Sequence, residues 1–212
     1  MTIRAKLFAA AVLTVIGPVV TVGVALAAFA TLGDSSDDVQ RAGERQALAL
    51  ELKFAVTDMN GWQTAYGYDG GRSRPRFEES VERTRALLVE AKRELRGARE
   101  RASLTELDEA FDAFIARDVE AYAALQAGRE EETRRLLLGP EIRNFEAMAR
   151  AAGALAVEQE RRAEAAEREF DDARTTARRE LVAVGIGAGV VIVLLLITAQ
   201  DVVRLALERR PA

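Results

Sequence analysis

Apolar residues recur along the middle of the chain in alternating steps of four and three, the spacing that places them on one face of an α-helix. Leu48, Leu52, Ala55, Met59, Trp62 and Tyr66 form the first such seam. Phe77, Val81, Thr84, Leu88, Ala91, Leu95 and Ala98 form the second, and Leu104, Leu107, Phe111, Phe114, Asp118, Ala121 and Leu125 the third. A fourth runs through Phe145, Ala149, Ala152, Ala156, Gln159, Ala163, Ala166, Phe170, Ala173 and Ala177. Sustained heptads of this kind predict four helices that bury one face each.

Punctuation agrees with that division. Asn60-Gly61 is a hairpin signal in isolation, but here it lies inside a helical register, and a turn there would strand Trp62 and Tyr66. The reversal is expected later, at Asp69-Gly70-Gly71 and Ser73-Arg74-Pro75. Ser103-Leu104-Thr105-Glu106 reads as a capping box opening the third helix. Gly128 ends that helix, and the fourth begins between Arg129 and Pro140, with Gly139-Pro140 marking a break or kink. Short connections favour an all-α fold, an antiparallel up-down-up-down four-helix bundle.

Outside the seams the pattern changes. Residues 7–33 and 181–200 carry no charge at all. A helix crossing a bilayer needs about 20 mostly apolar residues, so both runs qualify and the bundle is expected to be flanked by two transmembrane helices. The first run has signal-peptide traits, with Arg4 and Lys6 before it and A-x-A patterns at Ala25–Ala27 and Ala28–Ala30. Its length exceeds the usual signal core, which favours an uncleaved anchor. Pro18 is tolerable in such a helix. Arg4 and Lys6 precede the first run and Asp34, Asp37 and Asp38 follow it, so both chain ends are expected in the cytoplasm. The expected organisation is a basic terminus at 1–6, spans at 7–33 and 181–200, an extracytoplasmic bundle at 34–180 and a short tail at 201–212.

Composition then removes whole classes of chemistry. The chain has no histidine and no cysteine. That excludes Ser-His and Cys-His nucleophile pairs, His-ligated zinc or haem, and disulfide frameworks. No catalytic residues, metal ligands or cofactor are expected, and the protein is read as a non-enzyme. Residues 34–180 hold 32 acidic and 25 basic side chains, all but Asp201, Glu208, Arg4, Lys6, Arg204, Arg209 and Arg210 of the total. Both signs are interspersed, which describes a solvated surface and disfavours nucleic-acid binding.

A few residues stand apart. Trp62, Tyr66 and Tyr68 form an aromatic cluster that either fills the distal core or offers a stacking platform. An antiparallel fourth helix would bring Phe145 and Met148 level with Asn60, Trp62, Gln63 and Tyr66, and these six are the candidate ligand-binding residues. Arg72, Arg74 and Arg76 are expected on a solvated loop, with an anion site at the second helix as the alternative. Asp118 sits at a seam position and is expected at the edge of the bundle, with Ile115 and Val119 carrying the packing. Gly185 and Gly189 form a GxxxG pair suited to close approach of two membrane helices. The first helix is expected to run roughly 50 Å and the second and third about 36–38 Å. The ends of helices 1 and 4 nearest the membrane would then lack cover, which implies a homodimer with a shared stalk.

The basic anchor, the Glu51–Tyr66 segment ELKFAVTDMNGWQTAY, the 121–148 join AYAALQAGREEETRRLLLGPEIRNFEAM and the unbroken fourth helix together resemble the sensory half of bacterial methyl-accepting chemotaxis receptors. The resemblance implies a chemoreceptor-like sensory protein of the bacterial inner membrane. Its bundle would detect a small molecule or partner and pass a helix displacement across the bilayer. Residues 201–208 could begin a HAMP helix, but Arg204 stands near the family's usual proline. No HAMP or signalling domain is expected, so pairing with full-length chemoreceptors or another membrane signalling protein is implied. A structural or adaptor bundle without a ligand, or a truncated relic, is the competing expectation.

Overall fold

The computed structural model describes residues 3–208. Residues 1–2 and 209–212 of the expected terminal segments lie outside the described residues, as do the side chains of Arg4 and Lys6. The protein is all-α: five helices follow one another, and no strand occurs among the described residues. They are α1 (Ile3–Tyr68), α2 (Arg74–Glu94), α3 (Ala98–Gln126), α4 (Glu130–Leu138) and α5 (Pro140–Glu208).

Asn60-Gly61 lies within α1, and the chain reverses at Gly70 and Gly71, whose φ angles of 70° and 92° suit glycine. Gly128, at φ 70°, follows α3 in the same way. The region 129–140 divides into a separate short helix, α4, before Pro140 opens α5 in the first-turn position where a missing N–H costs nothing.

The capping box expected at Ser103–Glu106 is not the start of α3. That helix is capped six residues earlier, at Gly97, whose N–H the Glu100 carboxylate reaches back to accept. A carboxylate three residues inside the helix satisfies a free donor at its start, and the N–H groups near Glu106 lie inside the helix and need no cap from Ser103. Ala98 therefore belongs to α3 and is exposed, whereas the second seam ends at Leu95.

Two compact units can be distinguished. One comprises Met1–Val39 with Ala166–Ala212, the other Gln40–Ala165. In the first unit, α1 and α5 each carry a stretch long and apolar enough to cross a membrane. Most large apolar side chains there are exposed, among them Val19, Leu26, Phe29, Ile186, Val190 and Leu196. Thr14, Gly17, Pro18 and Thr21 of α1 and Ala188, Val191, Ile192 and Leu195 of α5 line a shared groove. Gly185 and Gly189 are exposed, and a Cβ on either would meet nothing within 4 Å.

The second unit contains the core. Leu52, Val56 and Met59 of α1 join Phe77, Leu88 and Ala91 of α2, Leu107, Phe111 and Phe114 of α3, and Met148, Ala152 and Leu155 of α5. Each fully buried large apolar side chain contributes about 1.5–3 kcal/mol relative to exposure. In α3 the expected seam is buried from Leu104 through Leu107, Phe111, Phe114 and Asp118 to Ala121; Glu100 and Ala124 are buried as well, and Leu125 is half-buried. Near the end of α1 the seam shifts at one position: Gln63 is buried and Trp62 half-buried against the core, while Tyr66 is buried as expected.

Candidate functional site

That shift in α1 follows from what Gln63 meets. Its Nε2 donates to Asp118 Oδ1 of α3 at 3.2 Å and, through a short hydrogen bond, to Glu141 Oε1 in the first turn of α5. One amide group thus bridges two carboxyls with its two protons. Tyr66, one turn further along α1, donates its hydroxyl to the same Asp118 oxygen. The other Asp118 oxygen, Oδ2, accepts from Arg74 Nη1 at 2.6 Å.

Asp118 is 1% exposed, so it does not lie at an edge. Three donors compensate its burial, which a lone carboxylate would not survive. Nor does Arg74 belong to a solvated loop. Its guanidinium lies 4.3 Å from the Tyr122 ring centroid, 4.8 Å from Phe77 and 5.1 Å from Tyr66, while Nε pairs with Glu78. The aromatic box adds cation–π attraction to the ion pair. Tyr66 packs edge-on against both Phe77 and Tyr122. Arg76 does behave as a surface residue, paired with Glu79.

Glu141 is the residue the seams do not reveal. It is 1% exposed, and its Oε2 has no hydrogen-bond partner among the described residues. Burial, followed by the negative charge of Asp118, raises its pKa to about 8. Burial and the same aspartate hold the Tyr66 hydroxyl well above the ordinary tyrosine range. One arginine thus faces two carboxyl groups, and near neutrality the cluster stores a proton on Glu141. A signal for this existed: Gln63, Asp118 and Glu141 are polar residues at or beside seam positions of three different helices. Only their mutual contact explains all three.

Beside this network lies a cleft of about 350 Å³. Asn60, Gln63 and Thr64 of α1 form one wall, and Ile142 and Phe145 of α5 another. Thr133, Arg134 and Leu137 of α4 close it, with Glu130 at the same helix's start. Gly67 lets α4 sit close, because a Cβ there would meet Leu137 Cδ1 at 2.6 Å. Of the six candidate residues, Asn60, Gln63 and Phe145 line the cleft. Tyr66 and Met148 are wholly buried, Tyr66 in the polar network and Met148 in the apolar core, while Trp62 packs against that core. Sequence spacing missed the contribution of α4, because a nine-residue helix carries too few turns to show a seam.

The site therefore joins an amphipathic cleft to a buried, proton-holding network through one shared side chain, Gln63. The class defined by fold and site is an all-α protein with an acid–arginine cluster inside its helical core. No protein-family model matches the chain, and no curated protein or solved structure does either.

Proposed function

We propose that the chain is a membrane-anchored sensory protein of chemoreceptor type, whose cleft takes a small extracytoplasmic molecule. In this reading Gln40–Ala165 is the core of an antiparallel up-down-up-down four-helix bundle. Cross-helix pairs support the antiparallel sense: Tyr66 meets Phe77 whereas Glu51 pairs with Arg83, and Asp118 and Glu141 share Gln63 whereas Glu100 meets Gln159. In each case one residue number rises as the other falls. The apolar stretches of α1 and α5 serve as membrane spans, with both chain ends in the cytoplasm, and a second copy of the chain as partner.

The observation that carries the reading is the double role of Gln63. It lines the cleft, and its amide also holds Glu141 in the first turn of α5, a helix that continues to Glu208. A ligand that competes for the Gln63 amide changes the hydrogen bonding of that turn. It shifts the position of α5 only as far as its affinity differs between the two arrangements. No covalent chemistry is involved.

The test is a thermal-shift screen of small metabolites on the full chain in nanodiscs. The expected result is a compound that raises the midpoint in wild type but not in Asn60→Ala or Arg134→Ala, both of which leave helicity unchanged. Midpoints that no compound moves, or that move equally in both variants, would sink the sensor reading.

A further inference from the structure

A second concave site lies where α2 turns into α3, and four arginines converge on it from α1, α2, the connection and α5. Arg45, Arg93, Arg96 and Arg162 line a cavity of about 280 Å³ together with Gly97, Glu94 and Glu100. Its walls are fixed from within. Glu100 is 2% exposed and accepts Gln159 Nε2 at 2.5 Å, Arg162 Nη1 at 2.7 Å and the Gly97 N–H. Arg162 is held a second time by Glu158. Gly97 makes room for this: a Cβ there would stand 2.7 Å from Arg162 Nη2 and closer still to the Glu100 carboxylate.

The acids present do not neutralise the arginines. Glu100 is committed to Arg162, and Glu94 pairs with Arg93 at 3.0 Å. Arg96 uses Nε on the Arg93 carbonyl at 2.7 Å. Among the described residues, neither Arg45 nor Arg96 has a carboxylate within ion-pair distance. Two guanidiniums are left over on a pre-shaped, polar concavity. Guanidinium forks match phosphate oxygens in pairs, and a phosphomonoester supplies up to two negative charges.

We propose that this cavity binds a phosphate group, with Arg45 and Arg96 as its direct ligands and Arg162 as the wall that Glu100 positions. The phosphate belongs to a soluble phosphomonoester or to an anionic lipid headgroup, which offer the same chemistry. None of these residues lines the cleft at Gln63, so the two sites stand or fall separately.

The test uses the full chain in phosphatidylcholine nanodiscs titrated with inorganic phosphate at constant ionic strength. A parallel arm uses nanodiscs containing a minority of phosphatidic acid, with lipid-dependent protection of the helices from proteolysis as the readout. Saturable binding in the first arm identifies a soluble phosphate, and protection in the second arm alone identifies a headgroup. Either is expected to weaken at least about tenfold in the Arg45→Gln/Arg96→Gln double variant, whose helicity stays at the wild-type level, and to survive in Arg134→Gln. Absence of saturation in both arms, or equal binding by the double variant, would overturn the assignment.

Discussion

At Glu141 the chain buries a carboxyl group whose second oxygen has no partner among the described residues, next to an aspartate that already claims the nearby arginine. The group is ionised at neutral pH in an unfolded chain and titrates at about 8 in the folded one. A carboxyl whose folded pKa is raised stabilises the fold fully below its unfolded value, near 4.5. That stabilisation is lost as pH rises toward 8, at about 1.4 kcal/mol per unit. Burial raises this value most, and the negative charges of Asp118 and Glu120 add to it, while the Gln63 amide and the Arg74 charge oppose them. Glu141→Gln keeps the acceptor for Gln63 and removes the ionisation. The variant is expected to match wild type near pH 5 and to exceed it by on the order of 3 kcal/mol at pH 8 in chemical denaturation. Parallel pH profiles for the two proteins would show that Glu141 is not the group responsible.

Among the elements, legibility followed the length of each seam and the character of what it meets. From Leu104 to Ala121 the buried face of α3 follows the seam, because it is apolar there except for Asp118, which keeps the same spacing. Near the end of α1 the seam holds at Tyr66 and fails only at Trp62, since Gln63 is buried in its place by polar contact with two carboxyls and not by hydrophobicity. The start of α3 was misplaced because two capping arrangements compete within six residues, and the one with a buried Glu100 prevails. Arg74 could not be placed from sequence at all: its partners Asp118 and Tyr122 lie more than forty residues away. The turn between α1 and α2 was legible, since Asp69-Gly70-Gly71 supplies both positive φ angles. Asp69 also accepts from the Ser73 hydroxyl at 2.6 Å and from the Ser73 N–H, which hold its pKa below the usual range. Gly71→Ala tests that reading. Its Cβ would make only ordinary 3.8 Å contacts with Leu125 and Tyr122, so the cost is the backbone's, about 1–2 kcal/mol. A fall in the urea midpoint with an unchanged m-value is expected, and no change would mean that the turn relaxes freely.

At the scale of the whole molecule, two helices each belong to both compact units, since the divisions at Val39/Gln40 and Ala165/Ala166 fall inside α1 and α5. In the proposed sensory role those helices cross a bilayer, and the proposed second copy needs a surface that this chain does not cover itself. The glycine pair supplies one. Ala188, Val191 and Ile192 line the groove shared with α1, whereas a Cβ at Gly185 or Gly189 would meet nothing within 4 Å among the described residues beyond the helix's own adjacent backbone. Close helix approach through small residues favours the face carrying the pair. Because the chain contains no cysteine, single replacements report without background. Asp58→Cys is expected to react with a membrane-impermeant maleimide in intact cells, and Arg204→Cys only after permeabilisation. Gly185→Cys is expected to form an oxidative dimer in membranes, while Val191→Cys, on the groove side, forms much less. Labelling of Arg204→Cys in intact cells would invalidate the two-span topology. Equal cross-linking at positions 185 and 191 would leave the topology standing and remove the glycine face as the contact between copies.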